Sequence, residues 1–288
     1  MTEDNVKLNR DYLGRKYTSG PHLVDAESIR KYAHATNERN PLYLDEREAV
    51  ELIASPLYPV VFIPMLLDQL VEEAEAMGLD ILRVVHAEQE MLWRDVLRPG
   101  DTIHASAEIA DMQSLGVNEL LGIEIICSRN DNRIVEMQYR LMLRGRGKVK
   151  KKVQKPSDVS ERGEMIAEQK VRVTEDQGLR YAEASGDHNP IHTSDEVARF
   201  AGLPRSILQG LCTMAFASQA IVDEILNGDP SRLKKMKVRF SKPVFMGQDL
   251  TTKVYASGVG NEGHNIVQFE TADSEGVPVL TRGWAEYV

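Results

Sequence analysis

The densest group of reactive side chains in the chain is Ser185-Gly186-Asp187-His188-Asn189-Pro190-Ile191-His192. A carboxylate beside an imidazole handles protons well. The imidazole titrates near neutral pH and the carboxylate tunes it. Gly186 permits a sharp backbone path, and Pro190 forbids a continuous helix and biases Asn189 toward extended backbone. The segment is therefore read as a turn that can bring Asp187 and His192 together. Two other readings fit the same residues. One is an ordinary Asx-turn with an exposed histidine. The other is a metal site, because His188 and His192 are four apart, a ligand spacing on helices. Asn189-Pro190 between them argues against the helix, so no metal is expected.

An internal repeat favours the proton-handling reading. YAHATNERNPLY at 32–43 matches YAEASGDHNPIH at 181–192 without gaps, at a constant offset of 149 residues. Tyr32, Ala35, Asn40 and Pro41 recur as Tyr181, Ala184, Asn189 and Pro190, whereas Gly186, Asp187 and His192 are matched by Asn37, Glu38 and Tyr43. A turn that needed Asp and His for its shape would carry them in both copies. The pattern points to one active copy and one retired copy of a shared scaffold.

Similar elements follow each copy. Pro59–Leu79 and Gln209–Leu226 have apolar residues at helical spacing and acidic ends, so each predicts one long helix. Strand-like segments follow at His86–Leu97, Thr102–Ala110, Glu119–Ser128 and Ile134–Leu143, then at Lys234–Val244, Leu250–Ser257, Asn265–Thr271 and Pro278–Tyr287. An apolar helix beside a one-sided sheet buries its face against it, which predicts an α+β fold made of two such halves. We place the first half at 1–147, a linker at 148–164 and the second half at 165–288. The linker is long for a loop within one domain.

Bulk composition narrows the function classes. Of 288 residues, 42% are apolar and 27% charged, the profile of a soluble globular protein. The net charge of −9 argues against general nucleic-acid binding, which needs a basic footprint. The basic run from Arg144 to Lys155 is read as solvated linker. Cys127 and Cys212 form no CxxC motif, which fits a reducing compartment. The N-terminal segment lacks a secretory apolar core, no stretch is long enough for a membrane span, and WAEYV is not a peroxisomal address. Together these predict a cytoplasmic protein that does not engage membranes.

The second-half motif resembles the signature of the MaoC-like family, the R-specific enoyl-CoA hydratases of hydratase 2 type. Ser185, Gly186, Asp187, Asn189, Pro190, His192, Asp195, Ala201, Gly202 and Gly210 fall on the family pattern. The first half, with ATNERNPLYLD and IASPLYPVVF, resembles the degenerate N-terminal domain of two-domain members. The resemblance implies a double hotdog, in which each half wraps a sheet around a central helix. It also implies reversible addition of water across the 2,3 double bond of an acyl-CoA or acyl-carrier-protein thioester. Asp187 and His192 would hold and activate one water, and the Gly210 N–H, at a helix start, would bind the thioester oxygen. Asn189 would orient the pair or the substrate. No cofactor is implied beyond the CoA of the substrate itself.

One departure from the family pattern is Gln209, where His usually precedes the glycine. It can hydrogen-bond but not titrate, so it bears on pocket polarity and substrate preference. Phe62, Met65 and Leu66 on the first-half helix are candidates for lining the acyl space. Lys237 and Arg239 share one face of a strand and are candidates for CoA phosphates. Two other functions remain on this reading, a hotdog acyl-CoA thioesterase and a non-catalytic acyl-CoA-binding subunit. A homodimer is compatible with the family.

Overall fold

Runs of alternating apolar and polar residues build the strands, and these join into one antiparallel sheet of ten. The computed structural model describes residues 7–45, 51–145, 162–260 and 263–288. The basic run lies outside the described residues from position 146 onward, as does most of the linker. The strands are β1 (Lys16–Leu23), β2 (Val84–Trp93), β3 (Thr102–Leu115), β4 (Asn118–Arg129), β5 (Asn132–Leu143), β6 (Met165–Arg172), β7 (Leu233–Phe240), β8 (Asp249–Val259), β9 (Asn265–Asp273) and β10 (Pro278–Tyr287). Across the sheet they run β1-β3-β4-β5-β2-β7-β10-β9-β8-β6. The second half therefore repeats the strand order of the first in mirror sequence. The halves meet where β2 pairs with β7, from Glu88 opposite Arg239 to Leu92 opposite Lys235. The linker thus joins two halves of one sheet, not two separately standing units.

The helices are α1 (Ala26–Ala35), α2 (Pro41–Leu44), α3 (Pro64–Glu72), α4 (Ala74–Met77), α5 (Gln177–Ser185), α6 (Asp195–Phe200) and α7 (Gly210–Glu224). α7 is the second-half helix expected from the sequence. It is buried without interruption from Cys212 to Val222 and packs on β6, β7 and β8. The expected architecture, a double hotdog, is the one observed.

Three details differ from the sequence reading. The first-half helix is not continuous. A 3-10 turn at Tyr58–Phe62 precedes α3, and α4 follows it. Pro64 opens α3 because it lacks the N–H that would continue the preceding turn. β1 and β6 were not anticipated, and they are the two edge strands of the sheet. The β7 strand ends at Phe240 rather than running on to Val244.

The two copies of the repeat meet at the centre of the molecule. α1 packs against α5, and the hydroxyls of Tyr32 and Tyr181 are 3.4 Å apart. Their surroundings match. Thr36 Oγ1 donates to the Tyr32 carbonyl as Ser185 Oγ donates to the Tyr181 carbonyl. Asn37 and Gly186 both sit in the left-handed region, at φ 55° and 79°.

Candidate active site

The turn after α5 is assembled from backbone contacts before any chemistry enters. Gly186 takes the left-handed conformation that ends the helix, and a side chain there would meet Pro64 Cγ at 3.0 Å. Asn189 caps the 3-10 turn Pro190–His192 by accepting from the Ile191 N–H, as Asn40 accepts from Leu42 N–H in the first copy. The Asx-turn is therefore real, and it serves as the mount for the reactive pair. The Asn189 N–H also donates to Asp187 Oδ1 at 3.3 Å. Asn189 thus holds the Asp187 carboxylate through its backbone and the turn through its side chain.

Asp187 and His192 are brought together. Asp187 Oδ2 lies 3.9 Å from His192 Nε2. His192 is buried, whereas the Asp187 side chain keeps 39% of its exposure. The Ile207 carbonyl lies 2.8 Å from His192 Nδ1, so we assign the proton to Nδ1 and the free lone pair to Nε2. Burial holds the His192 pKa below the ordinary value, opposed by the Asp187 carboxylate and by the Ile207 carbonyl. The imidazole is therefore neutral near pH 7.

Both side chains line a cavity of about 2150 Å³ built from the two halves, which Gly210 also lines. Gly210 begins α7, where amide groups have no acceptor one turn back. A side chain at Gly210 would press on the Phe240 ring at 3.1 Å, so the glycine lets that ring approach the helix start. Gln209 is buried and does not line the cavity. Its Nε2 donates to the Gly178 carbonyl at 3.1 Å and to the Asp187 carbonyl at 3.4 Å. Gln209 consequently anchors the backbone of the reactive turn.

The acyl-lining expectation is corrected. None of the three is on the cavity wall: Phe62 and Leu66 pack in the core, and Met65 faces outward at 53% exposure. The first half lines the cavity instead with Val60, Ile63, Pro64 and Leu67. Lys237 is turned away to Glu90, 3.3 Å distant and shared with Lys235, while Arg239 does reach the cavity wall. The sequence reading missed His86 and Tyr139, which also line the cavity. Each lies on a predicted strand, but nothing in the local pattern marks it as facing a ligand space.

In the first copy of the repeat, Glu38 and Tyr43 are both buried. Burial pushes the Glu38 carboxyl well above its usual range, and the Asp223 carboxylate adds to this. No group of three or more metal-ligating side chains gathers among the described residues.

Comparison with known proteins bears on the family of the chain. The second half matches the MaoC like domain model over residues 159–277, and the first half matches the dehydratase domain region of the FAS1-like model over 11–137. A probable enoyl-CoA hydratase 2 of Dictyostelium discoideum is 29% identical over 212 residues, covering 70% of this chain and 71% of that protein. The 3-hydroxyacyl-thioester dehydratase Y of Mycobacterium tuberculosis is 39% identical over 118 residues, covering 40% of this chain and 39% of that protein. The crystal structure of a MaoC-like dehydratase from Phytophthora capsici superposes with a TM-score of 0.82, covering 98% of each chain at 22% identity, a likeness of fold. Paired halves, a matched signature in the second and a degenerate relative of it in the first all lead to one conclusion: the chain belongs to the MaoC-like dehydratase family.

Proposed function

We propose that this chain is a hydro-lyase that interconverts a trans-2-enoyl thioester and the (3R)-3-hydroxyacyl thioester, with Asp187 and His192 as its acid/base pair. The observation that carries the reading is the 3.9 Å approach of Asp187 Oδ2 to His192 Nε2 on the wall of a cavity shared with the start of α7. That separation is too long for a direct hydrogen bond and suits a water oxygen touching both groups. Nε2 accepts from the water as its oxygen bonds to C3. A proton is delivered to C2 from the pair, so the net change is addition of one water. Negative charge gathers on the thioester oxygen during this step, and the Gly210 N–H is the donor that receives it. The named activities of the two relatives support this reaction class.

The balance of this reaction calls for no redox partner or further cofactor, and CoA enters as part of the substrate. Arg239 on the cavity wall is the cation we assign to the CoA side. No described helix is long and apolar enough to cross a membrane. Two buried free cysteines are consistent with the cytoplasm as the compartment.

The test follows loss of conjugated-thioester absorbance on a panel of trans-2-enoyl-CoA substrates, with a thiol reagent in a parallel run. We expect absorbance to fall without thiol release. Asp187→Asn and His192→Ala should each lower kcat/KM by on the order of 10³-fold, the scale of general acid–base catalysis. Glu38→Gln and Tyr43→Phe should change it by less than about threefold, because the retired copy makes no proton transfer. Thiol release would assign a thioesterase instead, and equal losses in both copies would remove the distinction between them.

A further inference from the structure

The wall of the same cavity carries two polar groups that the proposed reaction does not use. Tyr139 in β5 is 3% exposed, and its hydroxyl has no hydrogen-bond partner. His86 in β2 stacks on it, with ring centroids 4.7 Å apart and planes 15° apart. The His86 Nε2 is likewise buried and unpartnered. By contrast Tyr181, which also lines the cavity, has its hydroxyl within reach of that of Tyr32. Burying a donor or acceptor without a partner is costly, and an aliphatic wall would hold an alkyl chain without that cost. Two such groups, on stacked side chains that both line one ligand space, are better explained if a ligand that settles against them supplies the missing partners.

Their position says which part of the ligand they meet. The His86 ring also lies 4.7 Å from the Phe240 ring, the ring that packs against Gly210. The pair therefore sits one aromatic ring away from the amide assigned to the thioester oxygen, close to the first carbons of the acyl group. Burial pushes the His86 pKa down to about 4, against hydrogen bonding to the Glu88 backbone and the Gln89 side chain, and burial first, then Asp187, pushes the Tyr139 phenol well up. Both groups are neutral near pH 7. A neutral phenol donor beside a neutral imidazole matches a neutral oxygen on the ligand and offers a carboxylate no countercharge.

We propose that His86 and Tyr139 recognise a hydroxyl or oxo group on the acyl chain beyond C3, distinct from the hydroxyl that the reaction itself makes, so that the substrate class is an oxygenated acyl thioester rather than a plain alkyl one. The assignment rests on the hydratase reading only for the placement of the thioester. A site built around a substrate hydrogen bond discriminates against the analogue that lacks it, because its own polar groups are then left unpaired.

The experiment uses saturated acyl-CoA ligands in three forms of equal chain length, plain alkyl, hydroxy and oxo, with the oxygen on C4 or a later carbon so that none can be hydrated or is a 3-hydroxyacyl thioester open to dehydration. Calorimetric titration of the wild-type protein should show one oxygenated form binding at least about tenfold more tightly than the alkyl form, the size of one neutral hydrogen bond. Tyr139→Phe removes one oxygen and keeps the stacked ring. It should abolish the preference while leaving alkyl binding equal or tighter. His86→Phe should do the same if the oxygen is shared. Equal affinity for all three ligands in the wild type, an unchanged preference in a folded Tyr139→Phe protein, or no binding of any ligand would overturn the proposal. Because no ligand turns over, the two readings fail separately. A retained preference with silence in the absorbance assay would sink the reaction alone, and turnover of plain enoyl substrates without a preference would sink the recognition alone.

Discussion

Glu38 shows what retiring a site does to a single residue. It occupies the place of Asp187 in the first copy but is buried, with its pKa raised well above 4.5. A raised carboxyl contributes stability that is full below its unfolded pKa and is lost as pH rises toward its folded value. Glu38→Gln is a neutral isostere without that loss. We expect the variant to match the wild type near pH 4 and to gain on it in melting temperature as pH rises above 4.5, as a series of thermal melts at stepped pH will read. A constant difference across pH would mean that Glu38 does not titrate as described. At this scale the sequence was informative where a residue type is needed for geometry or proton transfer. The turn made by Gly186 and Asn189, and the approach of Asp187 to His192 across it, were readable from residue types and spacing. It was silent where facing direction alone decides the role. Gln209 was read for its side-chain chemistry toward substrate, yet it points to the Gly178 and Asp187 carbonyls. His86 and Tyr139 are ordinary strand residues until the strands are paired.

At the scale of elements, the start of α7 is the most constrained. Gly210 leaves 3.1 Å to Phe240 for any added methyl, so Gly210→Ala forces either the ring or the helix start to shift. We expect kcat/KM to fall by roughly tenfold or more, because oxyanion donors work only when placed to within a fraction of an ångström. Adding Phe240→Leu should recover part of that loss in a double-mutant cycle, whereas strict additivity would mean that the ring is not what the glycine accommodates. Elements were legible in proportion to their burial. α7 and the inner strands carry strong apolar patterns and all fall where the sequence placed them, although one end of β2, β3 and β7 departs by four or five residues. The edge strands carry weak ones. β6 has no buried residue and β1 has one, so little alternation marks them. The break before α3 was signalled by Pro64, but the apolar spacing on either side of it concealed the signal.

For the whole molecule, the joint between β2 and β7 decides how the halves behave. Met91 and Met236 face each other across it, both fully buried. One core cluster contains residues of both halves. Unfolding should therefore be a single cooperative transition in scanning calorimetry. Met236→Ala should lower stability by roughly 2–5 kcal/mol, as for a buried Met-to-Ala truncation, while keeping one transition. Two separate transitions would show that the halves stand independently. The repeat predicted two similar halves, but the continuity of the sheet could not be read from it, because pairing of strands 143 to 151 residues apart leaves no local trace.

The contact of Tyr32 with Tyr181 on the axis between the halves has an evolutionary consequence. In an assembly of two identical chains, the corresponding tyrosine would face itself, and any replacement would strike both sides at once. Here the two positions are encoded separately within one polypeptide. Each can be altered while its counterpart is held fixed, and so can every residue related by the same offset. The asymmetry between a turn that keeps Asp187 and His192 and one that carries Glu38 and Tyr43 is inherited with the chain. It can never be diluted by the exchange of subunits.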